Sequence, residues 1–246
     1  MAEKAALVTG GSSGIGLAIA KALAEDGYGV TISARRPDKL KAAADELRDA
    51  GLDVTDVPAQ MTEEQELVKL VSAHKDAYGR CDVLVNNAGI GIGQAMDELG
   101  AKQVDLQLGV NLRALMLMTR ECLPMLRDAG AEHSKALIVN TASISGKVPQ
   151  PWLSVYSATK AAVIAFSQST QKEQTGKGIQ VTALAPAFVD TPMTEFVKQS
   201  VAAEQMIRPG DLAEAVRYLL RTSPYCLIPE IVFMRPDDAG GVGEGL

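Results

Sequence analysis

The segment VYSATKAAV, residues 155–163, carries a tyrosine and a lysine four positions apart, Tyr156 and Lys160. Residues i and i+4 lie on the same face of a helix, so both side chains can reach one site. An unperturbed phenol has a pKa of about 10, and a nearby positive charge lowers the pKa of an acid by about 1–3 units. Lys160 can therefore prime Tyr156 to exchange a proton near neutral pH. The alternative is an ordinary amphipathic tyrosine beside a solvated lysine.

Short runs of valine, isoleucine and leucine alternate along the chain with longer helical patterns. Several runs are apolar on both faces, which is typical of parallel strands covered by helices on each side. We predict strands at 5–10, 29–34, 52–59, 81–87, 135–142, 179–185 and 230–234, and helices at 14–26, 38–50, 62–78, 102–128, 155–175 and 210–221. The fold class is therefore α/β, a single-domain Rossmann-type doubly wound parallel sheet of about seven strands with helices on both faces.

Composition excludes several other classes of protein. The 246 residues carry a net charge of −6, which is unfavourable for binding nucleic acid. Three cysteines and two histidines are widely spaced, so no metal site is expected. No apolar run is long enough to cross a membrane, and we predict a soluble, cytoplasmic protein. The domain is predicted over 1–236, with a substrate loop at about 186–209 that contains one helix at 195–206, and 237–246 is predicted to be a mobile, Gly-rich tail.

A glycine-rich turn, TGGSSGIG at Thr9–Gly16, joins the first predicted strand to the first helix. Glycines permit a tight turn and a close approach of backbone N–H groups to a ligand. The positive N-terminus of the following helix favours a pyrophosphate. The alternative is a turn with no ligand. The turn predicts dinucleotide binding by Gly10, Ser12, Ser13, Gly14, Ile15 and Gly16.

The end of the second strand indicates which dinucleotide is bound. NAD-binding proteins usually carry an acidic residue there for the ribose hydroxyls. This strand ends instead in Ser33-Ala34-Arg35-Arg36. A guanidinium pairs with a 2′-phosphate, whereas a carboxylate repels it. We therefore predict NADP(H), with NAD(H) disfavoured, bound by Arg35 and Arg36; the alternative is that both arginines are solvated charges before the helix that opens at Pro37.

These motifs together resemble the short-chain dehydrogenase/reductase family over nearly the full chain. The glycine turn is followed by NNAG at Asn86–Gly89, by Asn111 in a long helix, and by Ser143 thirteen residues before Tyr156. The Y-x-x-x-K pair and the segment APAFVDTPM, residues 185–193, complete the series. Five motifs in this order at the expected sheet positions are very hard to obtain by chance.

The resemblance implies a catalytic set. Tyr156 is the general acid/base, and Lys160 also hydrogen-bonds the nicotinamide ribose. Ser143 hydrogen-bonds the substrate oxygen and polarises the carbonyl, with Ser145 as its rival. Asn111 supports a water that relays protons to the lysine; a structural hydrogen bond is the alternative.

The resemblance also implies how the rest of the cofactor is held. Asn87, Ala88 and Gly89 pack along the adenosine ribose, while Asn86 ties neighbouring strands together. The segment after the sixth strand covers the nicotinamide through Pro186, Ala187, Val189 and Thr191. Near the adenine, Gln60, followed by Met61, replaces the usual Asp.

Two departures from the family pattern bear on function. Ala187 stands where the family usually has glycine, and a methyl group there is tolerated if its φ is negative. The C-terminal region, SPYCLIPEIVFMRP, differs from the family's usual ending, which supplies assembly contacts. We expect a homodimer or a homotetramer, and the sequence does not distinguish between these two states.

The resulting hypothesis is an NADP(H)-dependent oxidoreductase acting on a small-molecule carbonyl or secondary alcohol. A non-catalytic dinucleotide-sensing or scaffold protein on the same fold is the alternative. Candidate substrate residues are Ser143, Gln150, Trp152, Leu153, Phe188 and Met193. Trp152 is expected to be exposed, in contact with either substrate or another subunit, and no metal, nucleic-acid or membrane partner is expected.

Overall fold

The computed structural model describes residues 3–239 and contains one sheet of seven strands. The strands are β1 (Ala5–Thr9), β2 (Gly29–Ala34), β3 (Val54–Pro58), β4 (Val83–Asn86), β5 (Ala136–Thr141), β6 (Ile179–Pro186) and β7 (Glu230–Phe233). Their order across the sheet is β3-β2-β1-β4-β5-β6-β7, and every adjacent pair is parallel. This confirms the predicted doubly wound sheet, and the predicted strand bounds agree to within two residues.

Helices fill the connections between the strands. They are α1 (Gly14–Glu25), α2 (Pro37–Asp49), α3 (Glu64–Tyr78), α4 (Ala101–Leu108), α5 (Ala114–His133), α6 (Ser154–Gln174), α7 (Pro209–Arg221) and α8 (Pro236–Ala239). A π turn spans Gly109–Arg113, and 3-10 turns span Ile144–Gly146, Thr175–Lys177, Pro192–Gln199 and Ala203–Gln205.

Alternate residues of the central strands pack against opposite helical layers. Ala6 and Val8 of β1 belong to a core that includes side chains of α1, α2 and α7, whereas Leu7 packs with α3 and α5. None of these three side chains has exposed surface. Full burial of a leucine or isoleucine contributes roughly 1.5–3 kcal/mol. The aliphatic core therefore holds the strands firmly, and with them the loops at their carboxyl ends.

The long helix predicted at 102–128 is both interrupted and extended in the structure. Helix α4 ends at Leu108, the π turn follows, and α5 continues to His133 before Ser134 adopts a left-handed conformation with φ of 61°. Asn111 lies in the π turn and bonds the backbone of Ile90, which belongs to another loop. The sequence prediction missed the interruption because helical periodicity carries no information about this long-range bond.

The single helix predicted at 195–206 is wrong, since the structure has two short 3-10 turns there. Val197 and Met206 are both buried. In a continuous α-helix these residues, nine positions apart, point to opposite faces because each residue turns the helix by about 100°. Interrupting the helix allows both side chains to reach the interior.

The predicted C-terminal tail at 237–246 lies partly within the described residues. Residues 237–239 of the predicted mobile tail belong to α8, and 240–246 lie outside the described residues. Within 3–239, no helix combines the length and the apolar character that crossing a bilayer requires. The same residues contain no cluster of three His, Cys, Asp or Glu side chains suited to a metal ion.

Candidate active site

A cleft of about 430 Å³ opens at the carboxyl ends of the strands. It lies where the strand order reverses, since the chain proceeds outward through β2 and β3 on one side of β1 and through β4 to β7 on the other. Open α/β sheets bind ligands at such a point. The predicted site residues that line it are Gly10, Ser12, Ser13, Gly14, Ile15, Arg35, Arg36, Gln60, Met61, Asn87, Ala88, Gly89, Ser143, Tyr156, Lys160, Pro186, Ala187, Val189, Thr191 and Met193.

The glycine turn brings the N-terminus of α1 against one wall of the cleft. Gly14 has a φ of 55°, and a Cβ on it would lie 2.9 Å from Cγ2 of Thr191. A Cβ on Gly16 would lie 2.3 Å from the carbonyl oxygen of Gly10. Gly16 does not line the cleft, so its contribution is the close packing of helix on turn. The arrangement leaves the positive end of α1 available to an anion.

Asn87 and Thr9 join the glycine turn to the loop after β4. The backbone N–H groups of Asn87 and Ala88 both donate to Oγ1 of Thr9, at 3.0 and 3.1 Å. The side-chain amide of Asn87 donates to the carbonyl oxygens of Thr9 and Gly10, at 3.2 and 3.3 Å. These bonds fix the floor of the cleft.

Asn86, by contrast, faces the protein interior. Its side-chain amide donates to Oδ1 of Asn140 on β5 at 2.9 Å and to Oγ1 of Thr119 on α5 at 3.1 Å. It is buried. The predicted structural role of Asn86, tying neighbouring strands together, therefore agrees with the structure.

One end of the cleft is basic. Arg35, Arg36 and Lys39 line it together, beyond the tip of β2. Arg36 makes an exposed ion pair with Asp38 at 3.7 Å, which is weakened by solvent. Among the described residues, the lining of the cleft contains no aspartate or glutamate. Positive potential at this end is thus unopposed within the lining, and it suits a phosphate group.

Tyr156 and Lys160 lie at the other end of the cleft, in the first two turns of α6. The Nζ atom of Lys160 is 5.7 Å from the centre of the Tyr156 ring and donates to the carbonyl oxygen of Thr141 at 2.7 Å. Lys160 is buried, and no carboxylate pairs with it among residues 3–239. A buried ammonium group with one neutral acceptor retains donor capacity for a further polar ligand.

Burial governs the protonation of this pair. It lowers the pKa of Lys160 to about 8. It also raises the pKa of Tyr156, and a hydrogen bond with Ser143 opposes that rise. We expected Lys160 to lower the pKa of Tyr156, and the structure gives the opposite direction. In the protein without a bound ligand, desolvation of the phenolate outweighs the favourable contacts around it. Tyr156 therefore holds its proton at neutral pH.

Ser143 follows β5 and presents its hydroxyl group to the cleft beside Tyr156. Its Oγ accepts a hydrogen bond from the backbone N–H of Ser145 at 3.2 Å, so the hydroxyl proton is the one that it donates on the side of Tyr156 and the cleft. Ser145 is buried and does not line the cleft. The geometry therefore favours Ser143 over its rival as the residue that meets a ligand.

Asn111 does not line the cleft. Its Oδ1 accepts from the backbone N–H of Ile90 at 2.8 Å, and its Nδ2 donates to the carbonyl oxygen of Ile90 at 2.8 Å and to Oγ1 of Thr159 at 3.2 Å. The structure thus favours the structural alternative for this side chain. A Cβ on Gly89 would lie 3.5 Å from both Oδ1 of Asn111 and Nζ of Lys160, so Asn111 is nonetheless close to the lysine.

The loop after β6 closes the remaining side of the cleft. Ala187 donates its backbone N–H to the carbonyl oxygen of Phe233 at 2.9 Å, which ties this loop to the end of β7. Among the described residues, positive φ at a non-glycine position occurs only at Ser134 and Trp152. Ala187 therefore accommodates its methyl group without left-handed strain, as the sequence argument required.

The candidate substrate residues divide into two groups. Ser143 and Met193 line the cleft, whereas Gln150, Trp152, Leu153 and Phe188 lie outside its lining. The ring of Phe188 lies 5.6 Å from the guanidinium carbon of Arg235. Trp152 is half exposed and packs edge-on against Phe196, a residue of the loop after β6.

Sequence reasoning missed several residues that line the cleft. Lys39 was overlooked, although the sequence RRPDK places a third basic residue near the tip of β2. Others, such as Thr141, Leu106 and Val110, carry no chemical signal of their own and reach the cleft only through the fold.

Comparison with known proteins agrees with this geometry. Open parallel sheets with a glycine turn after the first strand form the Rossmann-type class of α/β proteins. The sequence model of the family described as short chain dehydrogenase matches residues 4–202. The chain belongs to the short-chain dehydrogenase/reductase family, an oxidoreductase family, and the resemblance noted in the sequence is confirmed.

Relatives are similar over nearly the whole chain. An uncharacterized oxidoreductase of Staphylococcus aureus strain MRSA252 is 32% identical over 236 residues, which cover 96% of this chain and 98% of the relative. A variant of actinorhodin polyketide ketoreductase, solved with NADPH, has a TM-score of 0.87 at 31% identity and covers 99% of this chain and 100% of its own. A 3-ketoacyl-(acyl-carrier-protein) reductase from Brucella melitensis, solved with NADH, has a TM-score of 0.86 at 32% identity, with coverage of 94% and 96%.

Proposed function

We propose that the protein is an NADP(H)-dependent oxidoreductase that interconverts a carbonyl compound and a secondary alcohol. The observation that carries this proposal is the convergence of Ser143, Tyr156 and Lys160 at one end of a cleft whose other end is basic. The two ends suit the two ends of a phosphorylated dinucleotide. The relatives solved with NADPH and with NADH support a nicotinamide dinucleotide as the ligand.

The residues present fit this cofactor. The N-terminus of α1 and the glycine turn offer backbone N–H groups to a pyrophosphate. Arg35 and Lys39 offer charge to a 2′-phosphate. The buried ammonium of Lys160, which donates one hydrogen bond to the Thr141 carbonyl, offers its remaining donor capacity to the nicotinamide ribose. When bound, the reduced dinucleotide supplies a hydride to the substrate carbon.

Three side chains of the protein polarise and protonate the substrate oxygen. Ser143 donates its hydroxyl proton in a hydrogen bond to that oxygen and polarises the carbonyl. Tyr156, which like an ordinary phenol is protonated at neutral pH, donates a proton to the same oxygen as charge develops on it. Burial raises its pKa further. Lys160 lies beside the phenol and stabilises the phenolate that remains. In alcohol oxidation the same groups work in reverse.

A panel of aldehydes and ketones, followed by loss of NADPH absorbance, tests the activity. We expect turnover of at least one carbonyl compound at neutral pH. Binding of NADPH with no turnover across the panel would support the non-catalytic alternative, a dinucleotide sensor or scaffold.

The basic end of the cleft predicts the choice of cofactor. We expect a lower KM for NADPH than for NADH, and we expect Arg35→Ala and Lys39→Ala each to raise the KM for NADPH by about 10–100-fold, since a charged hydrogen bond is worth about 1.5–3 kcal/mol. The KM for NADH should change little because NADH lacks the 2′-phosphate. Steady-state kinetics with both cofactors measure this difference.

The matched control is Lys41→Ala. Lys41 lies on the same helix but is exposed and bonded to Asp45, and it does not line the cleft. Its loss should leave both KM values unchanged. A wild-type preference for NADH, or equal effects of Arg35→Ala on both cofactors, contradicts the assignment of the basic end to a 2′-phosphate.

A further inference from the structure

Large apolar side chains remain exposed on the substrate side of the cleft. Trp152 is 51% exposed and Phe196 is 61% exposed, and Met193 is exposed as well. Single exposed apolar residues are common, but a contiguous group of them usually marks a binding surface.

These three side chains form a continuous strip that starts inside the cleft. Met193 lines the cleft together with Tyr156 and Ser143. Met193 and Phe196 are three residues apart in a 3-10 helix, where residues i and i+3 share a face. The ring of Phe196 then meets the ring of Trp152 at 6.3 Å between centres and 82° between planes. We call Met193, Phe196 and Trp152 the apolar strip.

The backbone holds Trp152 in an unusual conformation at the outer end of this strip. Its φ is 55°, which is rare for a bulky residue, and such outliers cluster at functional sites. The N–H of Gln94 donates to the carbonyl oxygen of Trp152 at 2.7 Å. Gly93 leaves room for the indole ring, because a Cβ on it would lie 2.3 Å from two ring carbons. Three separate features thus fix the ring beside Phe196.

We propose that the apolar strip binds the part of the substrate remote from the carbonyl group, and that this part is a flat aromatic or fused-ring group. The inference rests on the proposed function. Edge-to-face and offset contacts with aromatic rings favour such a group over a polar chain. Because the strip is open to solvent, it accepts a flat ring system laid on its surface without enclosing it. The substrate class is therefore aryl or fused-ring ketones and the corresponding alcohols.

Trp152 is the only tryptophan of the chain, so its fluorescence reports directly on the strip. In protein loaded with NADP⁺, which cannot reduce a ketone, we expect 2-tetralone to change Trp152 emission saturably and cyclohexanone to change it much less at the same concentrations. This readout needs no turnover. A saturable change in protein that turns over no compound of the aldehyde and ketone panel would support binding at the strip and contradict the proposed function.

Kinetics provide the second measurement. With NADPH, we expect Trp152→Ala and Phe196→Ala each to lower the ratio of kcat/KM for 2-tetralone to that for cyclohexanone by about ten-fold, which corresponds to the loss of one aromatic contact. Phe196→Ala leaves Trp152 and its contacts with Gln94 and Gly93 unsubstituted, and it is informative if Trp152→Ala fails to fold. Val68→Ala, an exposed apolar residue on α3, is the control and should leave the ratio unchanged.

Two results would overturn the proposal. One is turnover of both ketones with no change in Trp152 emission and an unchanged ratio in both variants. The other is Trp152 emission that responds to dilution of the protein and not to 2-tetralone, which would assign the strip to contact between copies of the chain.

Discussion

Replacing Tyr156 with phenylalanine is expected to lower kcat for carbonyl reduction by roughly 10²–10⁴-fold, the usual contribution of a positioned proton donor. The phenol is the proton-carrying group beside Ser143 at neutral pH, since an ordinary phenol is protonated there and burial raises the pKa of this one further. Phenylalanine keeps the ring and its packing but removes that proton. Single-turnover and steady-state rates with NADPH measure the loss.

The affinity for NADPH should stay within a few-fold of the wild type in Tyr156→Phe, since the basic end of the cleft and the glycine turn are untouched. Tyr218→Phe is the matched control, because Tyr218 is an exposed tyrosine on α7. A Tyr156→Phe enzyme with nearly full turnover would remove Tyr156 from the proposed proton transfer. A variant that also loses NADPH binding would indicate that the phenol acts in cofactor binding.

Structural features that depend on residues close together in the sequence could be predicted from it. Strand β1 is apolar at its first four positions, and the glycine turn that starts at its last residue leads directly into α1, so both the parallel sheet and the start of α1 could be placed. The spacing of Tyr156 and Lys160 fixes their common helical face by itself. Each of these inferences needs only neighbours a few residues away.

Features that depend on distant residues were missed. The π turn at 109–113 accompanies a pair of bonds between Asn111 and Ile90, which are 21 positions apart. The left-handed conformation of Trp152 accompanies a bond from Gln94, and its ring meets Phe196 from another loop. Local periodicity cannot encode such contacts.

The protonation of Tyr156 and Lys160 was the property least accessible from the sequence. A neighbouring cation predicts a lower phenol pKa, but the actual direction depends on how much water the fold removes from both groups. Burial raises the pKa of Tyr156 and lowers that of Lys160 to about 8. Only the three-dimensional structure reveals that both groups have moved toward their neutral forms.

Replacing Lys160 with methionine is expected to abolish turnover and yet to stabilise the protein at neutral pH. In the folded state the pKa of Lys160 is about 8, against an ordinary value of 10.5. A depression of this size corresponds to a cost of roughly 3 kcal/mol for keeping the buried ammonium charged. Methionine fills a similar volume without charge. The variant loses the hydrogen bond from Lys160 to the Thr141 carbonyl, which costs about 1–3 kcal/mol. A small net gain in the free energy of unfolding is therefore expected at pH 7.

The dependence on pH isolates the charge from the packing. Below pH 8, Lys160 is protonated in both the folded and the unfolded state, and the cost of burial is fully present. Between pH 8 and 10.5 the folded state releases the proton first, the unfolded state binds more protons, and wild-type stability rises relative to the variant. From pH 7 to pH 10, the free energy of unfolding of the wild type should therefore rise by roughly 2–3 kcal/mol relative to that of Lys160→Met.

Urea unfolding at both pH values measures this shift, because other titrating groups are common to the two proteins and cancel. Lys172→Met is the matched control, since Lys172 is an exposed lysine on the same helix, and its difference from wild type should not vary with pH in this way. A pH-independent difference for Lys160→Met would show that the ammonium carries no burial cost. If the shift is observed, the wild-type protein retains a charge that destabilises its fold, and the reason lies in the cleft: a buried cation with one neutral partner is placed to meet a ligand that supplies the others.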